Sequence, residues 1–186
     1  MNVVKKQTLT LGSGASLNLK KINMYPVKCV KYLNLPTIPQ SVIDSIKFDD
    51  DDLAKAKSTY GYATSVKSTE ELNQWGRENI SEDIFLNYQL ITGLAPNSVG
   101  KIHKDTSTKT KLMYIVNTGG DKVVTTFYTD EAGADEMFHT TIDPCRWAIF
   151  EADAWHHVTG LASGEVRFAI TGQVFRSEHL DIREIY

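Results

Sequence analysis

The feature that most constrains the fold is a series of short apolar segments between about residues 83 and 176. These segments are rich in β-branched and aromatic residues, which favour strands. Gly-Gly, Asp-Pro and Ser-Gly pairs separate them and predict turns. Six or more short strands in about 95 residues are typical of a β-sandwich or a double-sheet jelly roll. The segments are IFLNYQLIT, KLMYIVN, KVVTTFY, MFHTTI, RWAIF and EVRFAITGQVF.

The part of the chain before this series predicts a hairpin and a first helix. The sequence TLTLGSGASLNLKKI (8–22) alternates and then turns, which is typical of a hairpin. Pro39 stands where a helix would begin, and Val42, Ile43 and Ile46 would share one face of it. We expect this helix to pack outside one sheet of the β-rich part.

A second helix is predicted over STEELNQWGREN, where Ser68 and Glu71 have the spacing of a capping box. The predicted fold class is therefore mainly β (α+β), a jelly-roll core with flanking N-terminal helices. At 186 residues the chain is most simply one domain. Its predicted parts are a hairpin and supporting helices (1–82), a jelly-roll catalytic core (83–176) and a C-terminal tail (177–186).

Composition and charge exclude several classes of protein. A net charge of −3 argues against a non-specific binder of the nucleic-acid backbone, which usually carries a basic face. The two cysteines, Cys29 and Cys145, form no C-x-x-C, so we expect neither a disulfide framework nor a structural zinc site. The first residues lack the apolar core of a signal peptide, and no stretch approaches the roughly 20 apolar residues of a membrane span. These features predict a cytoplasmic protein with no membrane partner.

The stretch KIHKDTS (101–107) predicts part of a metal site. His103 and Asp105 are two residues apart, and on a strand such residues point to the same face. A histidine pair, His156 and His157, follows about fifty residues later. Two histidines and one carboxylate with open coordination positions form the facial triad of non-haem Fe(II) oxygenases. Spacing alone does not say which histidine of the pair would complete the triad.

Arg167 predicts a binding site for an anion. It stands inside an apolar strand, where a guanidinium is costly to bury unless it meets a negative charge. On a regular strand it shares its face with Thr171 and Gln173, a hydroxyl and an amide. Such a face suits a ligand that carries a carboxylate.

The ordered set of His-x-Asp, a later histidine and an arginine about ten residues beyond it resembles the Fe(II)- and 2-oxoglutarate-dependent oxygenases, especially their prolyl-hydroxylase-like branch. The resemblance covers HKD, LMYIVN, GG followed by TTFY, DPCRWAIFEADAWHHV and VRFAITGQVF. It implies a double-stranded β-helix core and a dioxygenase that uses Fe(II), 2-oxoglutarate and O2, with ascorbate as a reductant. The implied reaction hydroxylates a peptidyl (prolyl-type) or small-molecule substrate and releases succinate and CO2.

The resemblance also implies the metal ligands, which would be His103, Asp105 and His156. The family's common local form is His-x-Val followed by a polar residue, and HHVT matches it when His156 is taken first. On this reading His157 is a neighbour that points away or forms a hydrogen bond, and it remains the alternative ligand.

The same resemblance implies the residues that bind the cosubstrate. Arg167 would bind the distal carboxylate of 2-oxoglutarate, assisted by the hydroxyl groups of Tyr114 and Thr171. Four lysines cluster around His-x-Asp, which is typical of a solvated loop or of a surface that steers an anionic substrate toward the mouth of the site: Lys101, Lys104, Lys109 and Lys111. We expect the first eighty residues and the loop 129–136 to shape that mouth. The alternative interpretation is a non-catalytic jelly-roll module that binds a metal or another ligand without turning over 2-oxoglutarate.

Overall fold

The computed structural model describes residues 29–48, 62–93, 102–105, 110–162 and 164–174. The predicted hairpin at 8–22 and the predicted tail at 177–186 lie outside these ranges. Within them the chain forms nine strands and two helices. In chain order the elements are β1 (Val30–Tyr32), α1 (Gln40–Ser45), β2 (Tyr62–Lys67), α2 (Glu70–Asn79), β3 (Ile84–Gly93), β4 (Thr110–Asn117), β5 (Val124–Tyr128), β6 (Glu136–Thr140), β7 (Trp147–Glu151), β8 (Trp155–Thr159) and β9 (Val166–Val174).

The strands of the described ranges form two antiparallel sheets. The larger sheet has the order β1-β7-β4-β9-β3-β2, and the smaller sheet has the order β6-β5-β8. Apart from β2-β3 and β5-β6, neighbours in these orders are not consecutive along the chain, as in the two-sheet jelly rolls. All six segments predicted as strands are strands. The predicted fold class, mainly β with a jelly-roll core and flanking helices, is confirmed.

Helices α1 and α2 pack on the outer face of the six-stranded sheet, as expected. Pro39 directly precedes α1, and Ile43 and Ile46 are buried with Val42 partly buried beside them. In the described ranges, neither helix is long and apolar enough to cross a membrane. The buried residues of this outer core are Ile38, Ile43, Ile46, Leu72, Trp75, Ile84, Leu86, Tyr88, Leu90, Leu112, Tyr114, Trp147, Ile149, Phe168 and Ile170.

A second core lies between the two sheets and forms the floor of the site described below. Phe127 of the small sheet is fully buried, and its ring lies 5.3 Å from that of Phe150 on the large sheet. Met113, Ile115 and Ala169 belong to the same cluster. Burying a side chain of the size of Phe127 contributes about 1.5–3 kcal/mol to stability. This inner core therefore holds the sheets together directly beneath the site.

Helix α2 begins one residue later than its predicted capping box. The N-cap is Thr69, whose side chain accepts a hydrogen bond from Leu72 N at 3.2 Å. Ser68, the predicted cap, instead donates to the carbonyl of Leu86 at 2.7 Å. The capping-box prediction was wrong. The hydroxyl of Ser68 donates to a backbone carbonyl of strand β3, so the adjacent Thr69 caps the helix instead.

Candidate metal centre

The chain segment 102–105 lies along the free edge of β8. His103 N donates to His156 O at 3.0 Å, and His156 N donates to His103 O at 2.9 Å. Residues that exchange both backbone hydrogen bonds stand opposite each other with their side chains on one face. The two imidazole rings accordingly lie 4.5 Å apart.

Asp105 reaches the same face two residues further along. Its backbone N–H donates to Ala152 O at 2.8 Å, which holds the segment against the turn between β7 and β8. Asp105 Oδ1 lies 3.7 Å from His103 Nε2. Donor atoms of His103, Asp105 and His156 all lie within 4.8 Å of one another. The structure thus brings together the three residues that the sequence proposed as ligands.

The state of His156 suits a metal ligand. Burial of the ring lowers the pKa of His156 to about 4, so the imidazole is neutral at physiological pH. Nδ1 lies 2.8 Å from the carbonyl oxygen of Ala154, and since a carbonyl only accepts, Nδ1 carries the proton. The lone pair is then on Nε2. A carbonyl that fixes the tautomer in this way is the usual partner of a metal-binding histidine, so the donor set fits a divalent ion.

His157, the alternative ligand, points to the opposite face of β8. Its Nε2 lies 2.9 Å from the hydroxyl of Tyr128, and it is not among the converging donors. Its backbone pairs with Thr126 of β5, whereas that of His156 pairs with Phe127. Alternation along the strand therefore separates the two histidines, and the structure favours His156 over His157 as the third donor.

Arg167 faces the triad from the large sheet. It lies on β9 opposite Ile91 of β3 and is only 3% exposed. A narrow cleft of about 30 Å³ runs from the triad to this arginine between the two sheets. Its wall combines the triad and two cations with mainly apolar side chains. The lining residues are Gln89, Ile91, His103, Asp105, Lys111, Met113, Thr125, Phe150, His156, Val158, Arg167 and Ala169.

Lys111 is a second cation in the cleft. Its ammonium group forms an ion pair with Asp105 Oδ2 and lies 5.7 Å from the centre of the Phe150 ring. Its side chain is only 14% exposed. The sequence placed this lysine in a surface cluster that steers anions. Lys111 shares the inward face of β4 with Met113, two residues later, and the sequence alone did not show which face of β4 turns inward.

Tyr114 does not reach the site, so its expected role on the cosubstrate was wrong. It belongs to the outer core, 5.1 Å from the ring of Trp147. Burial raises the pKa of Tyr114 to about 12. Met113, its neighbour, takes the inward position instead. Thr171 does share the inward face of β9 with Arg167, but it is not among the described residues that line the cleft.

A larger cavity of about 310 Å³ lies beside the ligand-bearing segments. Lys104, between two proposed ligands in sequence, places its ammonium group 4.9 Å from the centre of the Trp155 ring. Thr129, at the start of the loop expected to shape the substrate mouth, also lines this cavity. The other lining residues are Cys29, Tyr128, Met137, Glu151, Asp153 and Ala154.

No protein-family model matches the chain, and no curated protein matches it significantly. Solved structures match it at low identity. An oxalate oxidase in complex with the substrate analogue glycolate is 12% identical, with a TM-score of 0.39 over 67% of this chain and 57% of its own. A Pseudomonas putida prolyl-4-hydroxylase is 15% identical, with a TM-score of 0.39 over 64% of this chain and 72% of its own. A variant of Bacillus subtilis oxalate decarboxylase is 14% identical, with a TM-score of 0.38 over 77% of this chain and 36% of its own.

The chain thus spans just over half of the oxalate oxidase that it matches. Similarities as loose as these carry no argument about activity. The strand order of the two sheets identifies the fold, and the side chains of the cleft indicate its chemistry.

Proposed function

We propose that this protein is an Fe(II)- and 2-oxoglutarate-dependent dioxygenase that hydroxylates a peptidyl (prolyl-type) or small-molecule substrate. The observation that supports this most is the pairing of two features in one cleft. A donor set of His103, Asp105 and His156 lies at one end, and the buried guanidinium of Arg167 lies at the other. A metal centre alone needs no buried arginine, whereas a dicarboxylate held at one end by a metal needs a cation at its far end.

On this proposal His103 Nε2, Asp105 Oδ1 and His156 Nε2 would hold the iron. Two imidazoles and one carboxylate are the ligands that non-haem Fe(II) oxygenases use, and they leave positions open for other ligands. The hydrogen bond from His156 Nδ1 to the carbonyl of Ala154 would keep the ring in orientation. With O2 as the co-reactant, bound iron and 2-oxoglutarate would supply an oxidant for a substrate C–H bond, with one oxygen atom entering the succinate that is released with CO2 and the other available for the substrate.

Arg167 would bind the distal carboxylate of 2-oxoglutarate through the parallel N–H donors of its guanidinium. The apolar walls, which include Ile91, Phe150 and Val158, would exclude water from this ion pair and so strengthen it. A cleft of about 30 Å³ has room for only one or two water molecules. Binding of a five-carbon diacid therefore requires the long side chains of the cleft, Lys111 and Met113, to move aside.

Succinate formation tests the proposal directly. The purified protein is incubated with Fe(II), 2-oxoglutarate, O2 and ascorbate, and succinate is measured with and without candidate peptide substrates. The His156→Ala variant should lose turnover and metal binding, because it removes one of three donors. His157→Ala is the matched control, since it removes the adjacent buried imidazole that faces the other way. It should retain metal binding.

The result also separates the proposal from its alternative. If the wild-type chain binds a divalent metal but forms no succinate with any substrate, the protein is the non-catalytic metal-binding module instead. If His157→Ala loses the metal and His156→Ala keeps it, the ligand assignment is wrong. Circular dichroism of each variant shows whether the fold has survived the substitution.

A further inference from the structure

The ion pair between Lys111 and Asp105 bears on how the site takes up a metal. Asp105 directs Oδ1 toward His103, while Oδ2 accepts from the ammonium group of Lys111. The carboxylate is 23% exposed and the lysine 14% exposed, so water screens this pair less than it screens a surface ion pair. Lys111 and a divalent ion would therefore compete for the same carboxylate.

The positive charge of Lys111 would also oppose metal binding by direct repulsion. Apart from its imidazoles, the described lining contains two cations, Lys111 and Arg167, and one carboxylate, Asp105. A divalent ion entering beside Lys111 would bring like charges together in a partly buried space. A dianionic ligand would relieve that repulsion.

The side chain of Lys111 is long enough to reach more than one anion in the cleft. Lys111 occupies the first inward position of β4, and its side chain extends through the cleft as far as Asp105. Its four-carbon stem is flexible, so the ammonium group can turn to another anion without a change in the strand. The same lysine that pairs with Asp105 is thus placed to pair with an anionic ligand of the metal.

We propose that Lys111 is an internal competitor of the metal for Asp105, and that its charge makes tight metal binding depend on a dianionic ligand. This inference rests on the proposed function only for the location of the metal site. Lys111 acts on the metal through Asp105, and it pairs directly with the dianionic ligand once that ligand is bound.

Mn(II) titration without any 2-oxo acid provides the test, with calorimetry as the readout. The variants Lys111→Met and Lys111→Gln remove the charge, and the second keeps a hydrogen-bond donor for Asp105. Both should bind Mn(II) about tenfold more tightly than the wild type. Lys111→Arg keeps the charge and should bind like the wild type. Lys104→Met removes a charge from the same region without touching Asp105, because Lys104 lies over Trp155, and its affinity should change less than twofold.

A second titration, of 2-oxoglutarate into each Mn(II)-loaded protein, should show weaker binding in Lys111→Met and Lys111→Gln. If these two variants bind Mn(II) no more tightly than the wild type, the inference is overturned, whatever 2-oxoglutarate does. If the wild type binds Mn(II) but has no affinity for 2-oxoglutarate, the proposed function fails while the tighter Mn(II) binding of the variants still supports the inference. Equal tightening in Lys104→Met would also overturn it, since the effect would then belong to the charge of the region.

Discussion

Arg167 is the residue that tests the proposed cosubstrate, 2-oxoglutarate. Replacing it with alanine should weaken 2-oxoglutarate binding on the order of 30-fold or more. Removing one partner of a desolvated charged pair costs about 2–5 kcal/mol, and each tenfold change corresponds to about 1.4 kcal/mol. Metal affinity should change little because Arg167 is not a proposed ligand. Paired titrations of Mn(II) and 2-oxoglutarate on wild type and variant measure both quantities.

Arg167→Lys is the control, because it keeps the charge but loses the planar pair of donors. We expect its affinity for 2-oxoglutarate to lie between those of the wild type and Arg167→Ala. If Arg167→Ala binds 2-oxoglutarate as tightly as the wild type does, the cosubstrate has been assigned to the wrong residue.

The two cysteines should differ strongly in reactivity. Burial, reinforced by the carboxylates of Glu151 and Asp153, raises the pKa of Cys29 to about 11, whereas Cys145 is exposed. At pH 8 iodoacetamide should therefore label Cys145 and leave Cys29 largely unmodified, because the thiolate is the nucleophile. Peptide mass spectrometry at increasing times measures both rates. Equal labelling of the two would contradict the burial of Cys29.

The raised pKa of Cys29 also makes the free energy of unfolding depend on pH. The thiol of Cys29 has its ordinary pKa near 9 when unfolded and keeps its proton to about 11 when folded. Between these two values the unfolded state loses a proton that the folded state retains. The contribution of Cys29 to the free energy of unfolding should therefore fall as the pH rises through that window.

The sequence could locate the candidate ligands but not every side chain of the cleft. His103 and Asp105 follow the two-residue alternation of a strand, which was enough to place them on one face. Tyr114 was misplaced because the four central residues of β4 are all buried, so their polarity gives no alternation to read. Which of them face the cleft is set by packing against the helices, and that information is not local.

At the scale of elements, Asn73 of α2 completes the edge of strand β3. Strand β2 pairs with β3 only as far as Lys67 opposite Tyr88, so Leu86 lies beyond its end. Asn73 Oδ1 accepts from Leu86 N at 2.8 Å, and Asn73 Nδ2 donates to Leu86 O at 3.2 Å. The side-chain amide thus makes the hydrogen bonds that another strand residue would have made.

Asn73→Ala should therefore lower the free energy of unfolding by about 2 kcal/mol, because it leaves a buried backbone N–H without its partner. Urea denaturation followed by circular dichroism measures the change. Gln74→Ala is the control on the neighbouring exposed position, where only a helical side-chain pair with Glu78 is lost. It should cost a few tenths of a kcal/mol. If both variants lose a similar free energy of unfolding, the hydrogen bonds from Asn73 to Leu86 contribute no more to stability than the exposed pair does.

The sequence predicted the central strands but not the two edges of the large sheet. Strand β1 has three residues, Val30–Tyr32, and β2 (Tyr62–Lys67) is largely polar or small in sequence. Both contain Val, Tyr or Thr, which favour strands, but β1 is too short and β2 has too little apolar alternation for the sequence alone to predict a strand. They become strands because β7 and β3 offer them unpaired backbone groups, and pairing of that kind depends on the assembled sheet.

At the scale of the whole molecule, the proposed ligands and the proposed anchor lie on different sheets. His103, Asp105 and His156 belong to the small sheet and the segment along its edge, whereas Arg167 belongs to the large sheet. A metal alone should therefore slow amide hydrogen exchange mainly in β8 and in 102–105. Metal together with 2-oxoglutarate should extend the protection to β9, because the ligand then joins both sheets.

Hydrogen exchange measured by mass spectrometry tests this difference between the two sheets. At a ligand concentration of about 100 times its dissociation constant, the added stability should be about 2.7 kcal/mol. In Arg167→Ala the protection should stay confined to the small sheet. If 2-oxoglutarate protects β9 equally in the wild type and in this variant, it does not bind between the sheets as proposed.

The backbone bridge between His103 and His156 has a consequence for protein engineering. Two main-chain hydrogen bonds, of 3.0 and 2.9 Å, set the distance between these positions, and neither bond involves an imidazole. The donors at this centre can therefore be exchanged for other side chains while the frame that carries them stays in place. The chain therefore offers a scaffold in which the chemistry of a metal centre could be changed by substituting one ligand residue at a time.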